Sequence, residues 1–337
     1  MKKFFSLFLS AVLLAGMLSG CGATSSVNSE QTQDKKSLHI VTTIFPEYDW
    51  VREVLGDQAD EAEITFLLDK GVDMHSYQPS AQDIMNISTC DLFIYAGGES
   101  DAWAADAAKN ATNKNMQVIN LMDILGENAK EEEVIEGMQE EHGHDHDHED
   151  DEDEHEEETE YDEHVWLSLK NAQIFVSAIA DSLSKIDPTH ADTYAANALA
   201  YNGKLAQLDT DYQAAVDAAP IHTVLFADRF PFRYLVDDYG LSYYAAFSGC
   251  SADTEASFDT IIFLANKVNE LGLHSILTIE NSNDKIANTI IQNTQSRDQQ
   301  IRVLNSMQTV TAQDIASGTT YLSVMEENLH VLSAALQ

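Results

Sequence analysis

Of 337 residues only three are cysteine, five are proline and 18 are lysine or arginine, and each scarcity removes a class of protein. Three cysteines (Cys21, Cys90 and Cys250) are too few to build a disulfide scaffold. Cys90 and Cys250 lie far apart in the chain. They either pair in an oxidising compartment or, the reading preferred here, remain unpaired as small buried side chains. The 18 basic residues face 57 acidic ones, for a net charge of −39. That argues against nucleic acid as a partner, because phosphate contacts require clustered Lys and Arg. It suits a protein that gathers cations, although acidity alone describes solubility and not function. Beyond the first twenty residues no apolar run approaches the roughly 20 residues a membrane span needs. No H-E-x-x-H, G-x-S-x-G or P-loop pattern is present, so nothing in the sequence speaks for an enzyme.

What is present begins with an address. Lys2 and Lys3 precede a nearly continuous apolar run from Phe4 to Leu18, the pattern of a secretory signal peptide over residues 1–20. The run closes on Leu18-Ser19-Gly20-Cys21, which resembles the lipobox of bacterial lipoproteins. There the cysteine carries the lipid and becomes the mature N-terminus. Residues 21–37 are then the lipid anchor and a flexible tether, rich in Ser, Thr, Asn and Gln. The expected location is extracytoplasmic, on the cell membrane, held by a lipid on Cys21.

A hydrophobic content of 44% belongs to a folded chain, and this length predicts two lobes. β-Branched and apolar strand signals at 38–45, 62–68, 91–96 and 117–121 alternate with helical stretches, the pattern of an α/β lobe with a mostly parallel sheet. A second series runs through 222–227, 241–247, 274–279 and 301–304. Between them, 170–186 has helical periodicity, Asp187-Pro188 breaks it, and 188–218 reads as one helix of about 45 Å. The fold class expected is therefore α/β: two Rossmann-like lobes, 38–187 and 219–337, joined by one long rigid helix over 188–218. Residues 131–163, dominated by Glu, Asp and His, cannot form a core and are expected as a disordered loop inserted in the first lobe.

That segment carries His142, His144, His146, His148 and His155. Imidazoles interleaved with carboxylates offer weak, interchangeable sites for zinc-like ions, a low-affinity collecting tract. A specific site needs donors on rigid elements. His75, in Gly71-Val72-Asp73-Met74-His75-Ser76, and His164, in Asp162-Glu163-His164-Val165-Trp166, are the candidates.

Taken in order, VTTIFPEYDWVREVLGD, GVDMHSYQPS, DLFIYAGGESDAW, DEHVWLSLKNA, FRYLVDDYGL and LTIENSNDKIA resemble the zinc- and manganese-binding lipoproteins of bacterial ABC importers. The resemblance covers the chain from Leu38 onward, and the His-rich insertion ahead of DEHVW matches the zinc-type members. It implies a metal cleft between the lobes with two ligands from each. Carried over by position, His75 and His164 are the first-lobe ligands and Glu280 is a second-lobe carboxylate. Where the family has a histidine, this chain has Arg229, which stays protonated and cannot ligate a cation. Asp228 takes that role with a one-residue shift, with Cys250 in FSGCS or a water as the alternatives. The implied function is capture of zinc, with manganese as the second choice, by a monomer that passes it to an importer permease. The ion would exchange its waters for cleft ligands and draw the lobes slightly together. Rival readings are a surface metal buffer, an adhesin-like interaction protein and, more distantly, a hydrolase.

Overall fold

The computed structural model describes residues 37–139, 160–251 and 255–337. The expected signal peptide, Cys21, the tether up to residue 36 and all five histidines of the acidic tract lie outside the described residues.

Each strand series folds into its own four-stranded sheet. Strands β1 (His39–Thr42), β2 (Glu63–Phe66), β3 (Leu92–Tyr95) and β4 (Gln117–Asn120) are all parallel, in the order β2-β1-β3-β4. Strands β5 (Thr223–Arg229), β6 (Ser242–Phe247), β7 (Ser275–Thr278) and β8 (Gln300–Val303) repeat that plan in the order β6-β5-β7-β8. Parallel strands need crossover connections, and helices fill most of them. They are α1 (Phe45–Leu55), α2 (Ala81–Thr89) and α3 (Ala102–Lys109) in the first lobe, where α4 (Leu121–Leu125) follows the last strand, and α7 (Arg233–Tyr239), α8 (Phe258–Leu271) and α9 (Lys285–Asn293) in the second. In both sheets the order reverses at the first strand, which places a crevice at the carboxyl ends, where open α/β sheets bind ligands.

Between the lobes run α5 (Leu169–Ile186) and α6 (Ala191–Ala218). Asp187 accepts a hydrogen bond from Thr189 N (3.2 Å) and opens a single 3-10 turn ahead of α6. The 28 residues of α6 measure roughly 42 Å. Its buried positions, Tyr194, Ala198, Tyr201, Leu205, Leu208, Tyr212 and Val216, recur every three or four residues.

Alternation along β5 sorts the second lobe into two layers. Val224 and Phe226 face the core shared with the first lobe, whereas Leu225 and Ala227 face a separate layer under α8 and α9. The shared core is continuous from Ile40 and Trp50 through α6 to Phe226 and Leu277.

Two features correct the sequence reading. After the short α10 (Ala312–Ala316), a helix unassigned from sequence, α11 (Tyr321–Ala335), returns from the second lobe to pack on α1 and α6. Tyr321 seals this junction. Its N–H donates to Asp49 Oδ2 (2.9 Å), its hydroxyl to Trp166 O (2.7 Å), and its ring meets Trp50 edge-on at 5.0 Å. The second correction concerns 131–163, expected as a disordered loop throughout. Residues 131–139 and 160–163 are structured. Glu131 bridges Tyr161, and the two stems exchange backbone hydrogen bonds. They also bind the second lobe: Gln139 N donates to Ala246 O, Lys130 N to the Tyr234 hydroxyl, and Glu133 pairs with Arg233. Polar composition predicts no core, but it does not prevent ladder pairing and docking by hydrogen bonds.

Candidate metal centre

His75 stands on a 3-10 turn, Met74–Ser76, that follows β2. Asp73 caps the turn by accepting from His75 N (3.0 Å). His164 stands just before a second 3-10 turn, Val165–Leu167, and is fully buried. Both rings are oriented through Nδ1. In His75 that nitrogen is 2.7 Å from Ser100 Oγ and 4.0 Å from a Glu163 oxygen, and in His164 it is 3.0 Å from Asp162 Oδ1. A metal-binding histidine characteristically has its second nitrogen engaged this way. The two Nε2 atoms converge to 3.2 Å. Two nitrogens about 2.05 Å from one tetrahedral zinc are separated by 2 × 2.05 × sin 54.7°, or about 3.3 Å.

The first lobe builds this pair through a tight loop after β3. Gly98 has a φ of +87°, and a Cβ there would lie 2.4 Å from the Glu163 side chain. Its absence lets the loop close over Glu163, whose Oε1 accepts from Ser100 N (2.7 Å). Burial, the adjacent His164 ring and the Arg229 guanidinium hold His75 down at about 3, with Asp73 opposing. Its imidazole is therefore neutral at physiological pH. Deeper in the lobe, burial and the charge of Glu163 push Asp101 up to about 7, and burial and Asp101 raise Glu47.

From the second lobe comes a residue of the loop after β6. The Cys250 sulfur and one nitrogen of each histidine all lie within 4.8 Å of one another, the one such group among the described residues. Cys250 and Cys90 are both free, so the pairing alternative does not occur. Burial, with the carboxylates of Glu132, Asp162 and Glu163, pushes the Cys250 thiol up.

Asp228 and Glu280 stand outside this group. Asp228 falls at a bulge in β5 and accepts from Arg229 N (2.9 Å). Arg229 crosses to the first lobe and binds Asp73 Oδ2 at 2.5 Å, so the residue in the histidine's place anchors the cap of the His75 turn. Glu280, just beyond β7, accepts from Ser306 N (2.7 Å), Ser306 Oγ (2.8 Å) and Gln308 N (3.1 Å). Ser306 O in turn accepts from Trp166 Nε1 (2.8 Å), coupling the Glu280 turn to the one after His164. The orienting residues Ser100, Asp162 and Glu163 were not foreseen. The sequence signal was their placement, beside a Gly-Gly pair and immediately before His164.

Two α/β lobes on a long helix, with donors converging at the strand ends between them, define the class: a two-lobed solute-binding protein. The model of the family described as "Zinc-uptake complex component A periplasmic" matches residues 40–335, and the chain belongs to that family. It is 30% identical over 335 residues to the high-affinity zinc uptake system protein ZnuA of Bacillus subtilis, covering 99% of this chain and 98% of the relative. It is 33% identical over 325 residues to the zinc-binding lipoprotein AdcA of Streptococcus pneumoniae, covering 96% of this chain and 60% of the relative. The chain thus spans about 60% of the length of the streptococcal relatives it matches. The crystal structure of the Zn(II)-bound ZnuA-like domain of the pneumococcal AdcA superposes with a TM-score of 0.68 at 30% identity, over 89% of this chain and 99% of that one.

Proposed function

We propose that this protein captures a zinc ion outside the cytoplasm and delivers it to the permease of an ABC-type importer. The observation that carries the reading is the pair of imidazoles, each oriented through Nδ1, with Nε2 atoms 3.2 Å apart, the spacing one tetrahedral zinc requires. His75 and His164 are the first-lobe ligands, and Glu280 supplies a carboxylate from the second. No bond is made or broken in the ion, so the task is binding and release.

The shared core and the Tyr321 junction oppose a wide hinge motion. Capture then proceeds by small movements of the turns bearing His75, Cys250 and Glu280. Lipid attachment at Cys21 keeps the protein beside the permease. The tract of His142, His144, His146, His148 and His155 collects ions weakly. Among the described residues no helix is long and apolar enough to cross a membrane.

The test is a competitive titration of zinc against manganese, with and without residues 142–158. One tight zinc equivalent that survives the deletion and is lost in His75→Ala or His164→Ala is expected. Equal preference for manganese would reassign the ion. Loss of all tight binding with the tract would leave a surface buffer.

A further inference from the structure

We propose that Cys250 is the second lobe's first-choice ligand, its thiolate occupying the coordination position expected of Asp228, and that this sulfur makes the cleft selective for zinc over manganese. The proposal rests on the reading of the cleft as a zinc site and names the donor that sets its preference.

Geometry separates the candidates. With Zn–N about 2.05 Å and Zn–S about 2.3 Å, a tetrahedral ion needs sulfur and nitrogen about 3.6 Å apart. The Cys250 sulfur is within 4.8 Å of both imidazole nitrogens, so a shift on the order of an ångström completes the triangle. The Asp228 carboxylate instead bonds its own chain at Arg229 N, and the neighbouring guanidinium is committed to Asp73.

The loop is also shaped to deliver the sulfur. A Cβ on Gly249 would lie 3.0 Å from Phe230 O and 3.2 Å from His164 Cε1, so a larger residue would crowd this turn against the ligand ring. Cys250 N donates to Glu132 Oε1 (3.0 Å), a hydrogen bond from the docked stem of the acidic segment. The other described cysteine, Cys90, is buried with its thiol directed at Ile87 O (3.2 Å).

The chemistry follows from donor type. On binding, the S–H bond breaks as the metal–sulfur bond forms, and the proton leaves to solvent. Thiolate with two imidazoles favours zinc, whereas a carboxylate in the same place would raise the relative standing of manganese. With Glu280 as a fourth donor the charges of thiolate, carboxylate and divalent ion sum to zero.

The experiment is cobalt(II) titration of the full chain, read by absorption, beside zinc–manganese competition. A near-ultraviolet thiolate-to-cobalt charge-transfer band at one equivalent is expected. The band should disappear in Cys250→Ser, and zinc affinity should fall on the order of 100-fold relative to manganese. The histidine tract cannot imitate the band, since it offers only nitrogen and oxygen donors. Tight zinc binding without the band, unchanged in Cys250→Ser, would overturn the thiolate while leaving the zinc cleft intact. Loss of tight zinc in Asp228→Asn but not in Cys250→Ser would overturn it in favour of the carboxylate. Absence of any tight zinc site in the wild-type chain would overturn both readings together.

Discussion

Replacing Asp49 with asparagine should stabilise this protein at alkaline pH and leave it nearly unchanged in acid. Asp49 is 6% exposed on α1, and its Oδ2 accepts the Tyr321 N–H. Burial drives its carboxyl from 3.8 up to about 7, against the Tyr321 hydrogen bond and with help from Glu53. A carboxyl whose folded value is raised binds more protons folded than unfolded. Its contribution is therefore whole below about 3.8 and is lost as pH rises through 7. Three units at about 1.36 kcal/mol each come to roughly 4 kcal/mol by pH 8. Asparagine keeps an acceptor for Tyr321 and never ionises, but its amide donors face an apolar junction at a cost of about 1 kcal/mol. The expected gain for Asp49→Asn at pH 8 is about 3 kcal/mol, with little or none at pH 4. Urea denaturation of chelator-treated protein at several pH values measures it. His75, which loses stability in the opposite direction as pH falls from 6.5 toward 3, contributes equally to both proteins and cancels. Parallel stability curves for the two proteins across this range would refute the buried, ionising Asp49.

Gly249→Ala should fold normally yet bind zinc about tenfold more weakly, because the added methyl presses on the His164 ring; calorimetric titration would show it, and unchanged affinity would mean the turn yields. Tyr321→Phe should cost about 1–3 kcal/mol in urea denaturation, since it strands Trp166 O at the lobe junction. A loss well below that would show that the junction is held by the ring packing on Trp50 alone.

The alternation of lobes was legible because buried parallel strands are short apolar runs, and all eight were found within a few residues of their observed ends. The long helix was legible from its Ala- and Leu-rich periodicity after Asp187-Pro188. Helix α11 was not read, although Tyr321, Val324, Met325, Asn328 and Leu332 share one face. Its partners, α1 and α6, lie more than a hundred residues away, so nothing local announced why that face is buried. His75 and His164 were legible by resemblance, but their orienting partners were not. A serine after two glycines and a carboxylate two residues before a histidine become informative only once folding brings them to Nδ1.

By itself, then, the sequence marked the eight strands, their parallel pairing and the long helix, because periodicity and local turn chemistry are properties of neighbouring residues, while resemblance alone pointed to the two histidines. Only tertiary structure decided which second-lobe donor approaches them. Asp228 and Cys250 lie 22 positions apart, one at the bulge in β5 and the other on the loop after β6, and nothing local ranks them. The bulge in β5 turns the Asp228 carboxylate onto its own backbone, Asp73 takes up the neighbouring Arg229, and the contact of Gly249 with the His164 ring carries the cysteine sulfur in. Such choices depend on how close two lobes come, a distance set by the shared core and not by any stretch of chain.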